Sequence, residues 1–346
     1  MKIGLTNMLE KYDFTFPNKL IATEPAQPRD LAKLLVVGRK PKTIRESTFA
    51  HLADFLPTGT VLVFNQTKVI PARLMVTKST GGKVELLYLK KIGQTVQMLA
   101  NKKLTIGETL KLNQRHSFVV QGLADKGYLI KPSFTMDQLE LILDKHGSTP
   151  LPPYIKNSKL SESAKRREYQ TVFAKLAGSV AAPTASLHFT KKLLSTLKKR
   201  GIGIEFVTLH VGLGTFASLT QDNIKHKKLH EEYYEIDQGV AKRLNQAKTA
   251  GRVIIPVGTT ALRALESAVD NHGHLKKLQG VTDLFITERY HFKFVNGLIT
   301  NFHVPKSSLL ILVSALVGRQ RLLSLYQFAI SQNYRLFSFG DGMLIC

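Results

Sequence analysis

The sequence predicts an α/β protein with a small all-β module inserted into it. Three observations carry that expectation. From Thr60 to Ser133 the chain runs in short stretches of β-forming residues broken by Gly and Asn. Beyond residue 190, helix-like and strand-like stretches alternate, the pattern of an α/β layer with some parallel pairing. Between the two lies a stiff segment holding Pro150, Pro152 and Pro153. The predicted division is an α/β domain built from 1–59 plus 151–346 and a β module, a small barrel or sandwich, over 60–150. A chain of 346 residues suits two domains, and 43% hydrophobic residues supply a real core.

The elements follow in order. Residues 1–58 mix turns with an apolar patch, Leu34–Val37, and a helix-like run, Ser47–Leu56. The β module is read from VLVF (61–64), KVELLYL (83–89), TVQML (95–99), SFVVQGL (117–123) and YLIKP (128–132). A helix over Met136–Lys145 stops at Gly147. Lys191–Arg200 is amphipathic, with Leu193, Leu194 and Leu197 on one side and Gly201 as its stop. Ile202–Val211 reads as a strand, Gln238–Ala250 as a helix closed by Gly251, Arg252–Val257 as a strand and Thr260–Asp270 as a helix. Strands are expected near Thr282–Ile286 and Tyr290–Val295, then helices over Lys306–Val317 and Gln320–Ser331.

Composition narrows the function. Lys and Arg number 49 against 25 Asp and Glu, a formal net charge of +24, which points to a polyanionic partner, nucleic acid first. Residues 156–230 alone hold 14 Lys and Arg against 4 acids, including Lys165, Arg166 and Arg167, with Tyr154 and Tyr169 nearby as base-stacking candidates. A solvated basic face would show the same pattern. The single cysteine, Cys346, allows no internal disulfide and no cysteine metal site. Leu309–Val317 is too short to span a bilayer, and acidic residues stand where a signal peptide needs an apolar block, so a cytoplasmic protein without membrane contact is expected.

Three turns could carry chemistry. In Val257–Glu266 a strand runs into Gly258, Thr259 and Thr260 and then a helix bearing Arg263 and Glu266; free N–H groups at such a start favour a carboxylate. Taken alone, the run is explained more simply by an ordinary capped helix with a surface ion pair. His210–Phe216 holds Gly212 and Gly214, where backbone can approach a ligand closely, but lacks the third glycine of a dinucleotide loop. Gly178–Phe189 is rich in small residues and presents His188 before a helix. The 11 histidines show no metal-ligand spacing, and there is no nucleophile elbow or phosphate loop; no metal is assigned.

Twelve segments in order resemble the S-adenosylmethionine:tRNA ribosyltransferase-isomerase family of queuosine biosynthesis. They are IATEPAQPRD (21–30), VIPARL (69–74), TGGKVELL (80–87), PLPPYI (150–155), YQTVFA (169–174), SVAAPTASLHF (179–189), VTLHVGLGTF (207–216), HEEYYEI (230–236), VGTTALRALES (257–267), TDLFI (282–286), TNFHVPKSSLLILVSALVG (300–318) and FGDGMLI (339–345). The resemblance implies a larger α/β domain with an inserted small antiparallel β-barrel. It implies that the ribosyl part of S-adenosylmethionine passes to 7-aminomethyl-7-deazaguanine at the wobble position of a tRNA, giving epoxyqueuosine-tRNA with loss of adenine and methionine. S-adenosylmethionine is then a co-substrate, no cofactor is expected, and the enzyme is expected to be a monomer.

That chemistry assigns expected roles. Protons beside a sulfonium need a base, and a leaving adenine profits from an acid, so His188, His210 and His303 are the candidates, with Glu232 and Asp283 beside them. Substrate binding is expected from Thr184, Gly212, Gly214, Thr215, Gly258, Thr259, Thr260, Arg263, Glu266 and Asn301. Contacts to tRNA are expected from Arg73, Lys83, Tyr154, Lys165, Arg166 and Arg167. Several positions depart from the family pattern: Gln66 and Asn296 stand where Asp is usual, Leu229 where Met is, Gly342 where Ala is, and Glu288-Arg289 replaces a Pro-Gly turn. Three alternatives remain at this point: a weakened relative that holds tRNA without turnover, an RNA methyltransferase, disfavoured by the missing glycine-rich loop after the first strand, and a DNA-binding regulator, which has the charge but no recognition helix.

Overall fold

The computed structural model describes residues 8–212 and 219–346. Its strands are β1 (Lys33–Val37), β2 (Ile44–Thr48), β3 (Val61–Asn65), β4 (Thr67–Val69), β5 (Arg73–Lys78), β6 (Lys83–Ile92), β7 (Thr95–Ala100), β8 (Thr109–Lys111), β9 (Ser117–Leu123), β10 (Tyr128–Pro132), β11 (Leu176–Ser179), β12 (Gly203–Leu209), β13 (Lys228–Glu235), β14 (Ile254–Val257), β15 (Gln279–Leu284), β16 (Leu298–Asn301) and β17 (Gly342–Ile345). They form two main units, an α/β layer and a closed antiparallel barrel.

The large sheet has nine strands in the order β15-β13-β12-β3-β14-β16-β17-β1-β2. Its centre is parallel, with β12, β3, β14 and β16 aligned, as is the β1–β17 pair. Strands buried on both faces read as unbroken apolar runs, which is why β1 and β14 consist almost wholly of Leu, Val and Ile. The helices Gln238–Thr249, Thr259–Ala268, Ser308–Val317 and Arg319–Ser331 pack on one face. The 3-10 segment Phe49–Phe55 and the helix Lys191–Lys199 cover the other through Phe49, Leu52, Leu193 and Leu197. Thr190 caps the latter helix by accepting from the Leu193 N–H, as its sequence position suggests.

The barrel closes in the order β10-β7-β6-β5-β8-β9. Alternation sets its inside: Leu74 and Val76, Val84 and Leu86, Val96 and Met98, and Phe118 and Val120 are all fully buried. Leu139 and Leu143 of the helix Leu139–His146 plug one side. β4 and β11 pair in parallel as a separate two-stranded sheet.

Three expectations change. VLVF (61–64), placed in the barrel by a boundary at residue 60, is instead β3 at the heart of the large sheet. Its four side chains are buried without alternation, the mark of a two-face parallel strand rather than a barrel strand. Tyr290–Val295 forms no strand, because the N–H groups of Lys293, Phe294 and Val295 all donate to the Glu266 carboxylate. The helix-like Ser47–Leu56 is the end of β2 followed by a 3-10 turn.

Candidate active site

The carboxyl ends of β12, β14 and β16 converge on one cavity of about 500 Å³. This is where open parallel sheets bind ligands, since the turns that follow the strands are free to vary there. β14 ends at Gly258, whose φ of +92° disfavours a side chain, and whose N–H donates to the Ile299 carbonyl. The helix Thr259–Ala268 then starts without a side-chain cap. Thr259 and Thr260 line the cavity, so the positive end of that helix faces it. Asn65 at the end of β3 fixes this corner: its side-chain amide donates to the Leu209 carbonyl (2.9 Å) and to the Thr260 hydroxyl (3.1 Å).

Glu232 and Arg263 form the charged wall. Both line the cavity, and both are nearly inaccessible, at 5% and 6% exposed. The guanidinium donates to the Glu232 carboxylate, to the Leu284 carbonyl (3.2 Å) and toward the Thr282 carbonyl (3.4 Å). The other Glu232 oxygen accepts from the Gly212 N–H at 3.3 Å. The seat expected of Arg263 for a substrate carboxylate is thus taken by Glu232, which leaves the uncapped helix start as the anion-favouring group of the cavity.

Two of the three candidate histidines gather here. His303 lines the cavity, with Nε2 2.8 Å from the Thr300 hydroxyl and its backbone N–H bonded to the Tyr326 hydroxyl oxygen. Burial pushes its imidazole down to about 4, so it is neutral at physiological pH. His188 lies behind the wall, stacked on Phe49 at 4.2 Å. Burial, then the charges of Arg335 and Arg29, hold it down near 3. Neutral Nε2 of His188 accepts from the Asn301 amide (3.2 Å), and the Asn301 oxygen accepts from Thr184 (2.8 Å), so a relay of three side chains orients Thr184 toward the cavity. His210 goes elsewhere. It bonds the Thr67 hydroxyl at 2.8 Å and lies parallel to the Tyr233 ring, on the sheet face that alternation turns away from Glu232.

The remaining expected residues divide. Asp283 does not line the cavity; it pairs with Lys228 at 2.6 Å at the sheet edge. Glu266 is a structural clamp, accepting from the Tyr290 hydroxyl and three backbone N–H groups. Gly214 and Thr215 lie outside the described residues. Tyr154, expected on an RNA surface, lines the cavity and shares a 2.6 Å hydrogen bond with Ser338. On the barrel side, Arg73 is engaged with Glu85 and the Leu151 carbonyl, while Lys83 is exposed. Arg166 donates to the Gly147 carbonyl, Arg167 is exposed beside Glu168, and Lys165 is half-buried on the same short helix. Sequence reasoning passed over Thr300, visible only as the residue three before His303, and gave Tyr169 to an RNA surface, whereas Tyr169 lines the cavity and is kept un-ionised by burial.

The comparisons decide the family. The family model described as queuosine biosynthesis protein matches residues 9–345. The chain belongs to the queuosine biosynthesis family. A relative from Fusobacterium nucleatum, named S-adenosylmethionine:tRNA ribosyltransferase-isomerase, is 45% identical, with 99% of this chain and 98% of the relative covered. A relative of the same name from Halothermothrix orenii is 44% identical over 97% of this chain and 99% of its own length. Among solved structures, an S-adenosylmethionine tRNA ribosyltransferase from Thermotoga maritima aligns with a TM-score of 0.55 and 30% identity, covering 97% of this chain and 100% of that one. The larger α/β unit with its inserted antiparallel barrel agrees with that neighbour.

Gln66 and Asn296, two positions where the resemblance leads one to expect Asp, both sit in structural roles. The Gln66 amide donates to the Thr208 hydroxyl at 3.2 Å. The Asn296 side-chain oxygen accepts from the Ile254 N–H at 2.9 Å, an acceptor role that a carboxylate fills in the same way. Neither residue lines the cavity. Among the described residues no single helix is long and apolar enough to cross a membrane.

Proposed function

We propose that this chain is an S-adenosylmethionine:tRNA ribosyltransferase-isomerase acting in the cytoplasm on tRNA that carries 7-aminomethyl-7-deazaguanine. The ribosyl part of S-adenosylmethionine joins the aminomethyl nitrogen and isomerises to the epoxide-bearing ring of epoxyqueuosine. Adenine leaves with the electron pair of its glycosidic bond, and methionine with that of the C5′–sulfur bond. The observation that carries this reading is the end-to-end match to the family and to relatives of that name.

The cavity supports it chemically. The sulfonium acidifies the C5′ protons, and His303 offers a neutral imidazole as the group that can accept one. The Glu232 carboxylate neutralises Arg263 in the cavity wall, so the wall adds no net positive charge beside the sulfonium. The uncapped start of Thr259–Ala268 suits the carboxylate of the methionyl part. Thr184, held by Asn301, and the hydroxyl-bearing Tyr154 and Ser338 offer neutral hydrogen bonds to the nucleoside. The basic surface supplies sequence-independent attraction for the RNA.

The test is incubation with methyl-labelled S-adenosylmethionine and tRNA carrying the precursor base. Release of adenine together with labelled methionine, with none of the label on RNA, is the expected result. Label on the RNA would replace this reading with methyl transfer. RNA retention with no adenine released would replace it with a binding protein.

A further inference from the structure

One barrel side chain, Lys126, touches a residue that lines the cavity. The β9–β10 hairpin turns at Ala124–Gly127, closed by a hydrogen bond from the Ala124 N–H to the Gly127 carbonyl. Gly127 has a φ of +75°, and a Cβ there would lie 2.2 Å from the Met98 carbonyl oxygen, so the turn accepts no side chain at that position. Gln97, only 4% exposed and on the face of β7 opposite Val96 and Met98, locks the turn. Its amide donates to the Asp125 carboxylate (2.9 Å) and to the Lys126 carbonyl (2.7 Å). The result is a rigid tip that presents Lys126 across the gap to β13, where Nζ meets Nε2 of His230 at 2.5 Å. His230 lines the cavity, two residues before Glu232 on the same strand.

An ammonium group has donors only, so the Lys126–His230 contact requires Nε2 of His230 to be the acceptor. The imidazole is therefore neutral, with its proton on Nδ1. We infer that Lys126 is a positioning residue for ribosyl transfer: from the barrel it backs the cavity-lining His230 and fixes it as a neutral Nδ1–H donor toward the substrate. The inference rests on the transferase reading above. The surroundings agree with it. Burial first, then the Lys126 charge, hold the His230 imidazole down, and burial lowers the Lys126 amine. Asp125 on the tip and Glu232 on the strand pull the other way, and Glu232 is already paired with Arg263. The helix Gln221–His226 beside the strand carries Asp222, Lys225 and His226, and Asp283 on β15 is bound to Lys228.

The experiment uses the full chain with Lys126→Met, Lys126→Arg and His230→Gln. Histidine ring resonances, assigned through H230Q, are titrated without substrate. In K126M the His230 midpoint should rise by about one pH unit, since a neighbouring cation and a donor to the neutral form are both lost. In turnover assays K126M should lower kcat about tenfold, the scale of one lost positioning hydrogen bond, with KM for tRNA little changed. K126R should recover part of that loss. In the H230Q background K126M should have no further effect on kcat. An unmoved His230 midpoint, or a raised KM for tRNA at unchanged kcat, overturns the inference and makes Lys126 a plain RNA contact. Gln97→Ala frees the turn while leaving both partners, and should move the His230 midpoint in the same direction as K126M if the tip does the presenting. The titration scores the pairing even where wild-type protein releases no adenine, an outcome that would sink the transferase reading instead.

Discussion

Replacing Glu232 by Gln tests the buried ion pair of the cavity wall. The side chain keeps its shape and can still accept from the Gly212 N–H, but the charge that neutralises Arg263 is gone. The guanidinium side chain is 7% exposed, and its other acceptors are two neutral carbonyls at 3.2 and 3.4 Å. Breaking a buried ion pair by removing one partner costs about 3–5 kcal/mol. The carbonyls that remain favour the lower end of that range. At ~2–4 °C per kcal/mol for a domain of this size, the α/β unit should melt roughly 6–12 °C lower. Far-UV circular dichroism follows the transition, with amide exchange of the helix Thr259–Ala268 as a local check. Arg263→Met should cost about as much, because it strands the carboxylate instead. The double variant should lose clearly less than the sum of the two, a coupling of ~2 kcal/mol. Melting of E232Q within 2 °C of wild type, or strictly additive losses, would refute the claim that this pair is buried and mutually dependent.

Two further outcomes follow from the same wall. His303 and His188 are held near 4 and 3 against an ordinary 6.5, so their contribution is complete above pH 6.5 and is lost as the pH falls, because the unfolded chain takes up the protons first. Each should add about 1.4 kcal/mol per pH unit to the acid-side slope of stability, and urea midpoints at pH 7, 6 and 5 should show His303→Gln removing one such share. Glu266→Ala strands three backbone donors and should destabilise by about 3 kcal/mol or more, while the folded fraction keeps its affinity for S-adenosylmethionine in equilibrium dialysis, since Glu266 bonds only the Tyr290–Val295 segment.

Much of this arrangement was legible in the residues. Alternation in KVELLYL and TVQML reported a half-buried barrel wall, and the Gly-Thr-Thr turn after RVIIPV reported a strand running into an open helix start. What failed was direction. Spacing places a histidine at a strand end but does not say which face it takes, so His210 was grouped with His303 although the sheet separates them. An acidic residue one turn into a helix reads alike whether it serves a ligand or a loop, and Glu266 serves a loop. Proximity alone places VLVF with the barrel strands, against its own lack of alternation. The hairpin tip at Lys126 carried no signal, because its meaning depends on a partner 104 residues away.

The last strand has a consequence of its own. β17 is the wedge between β16 and β1, parallel to one and antiparallel to the other, and all four of its residues are buried. Clipping Gly342–Ile345 would therefore split one continuous sheet into a block of six strands and a hairpin, each baring an unpaired apolar border. Such borders recruit other chains. A protein cut there should clump rather than merely slow down, so the loss of this strand would surface as sedimentable material before it surfaced as a partly active enzyme.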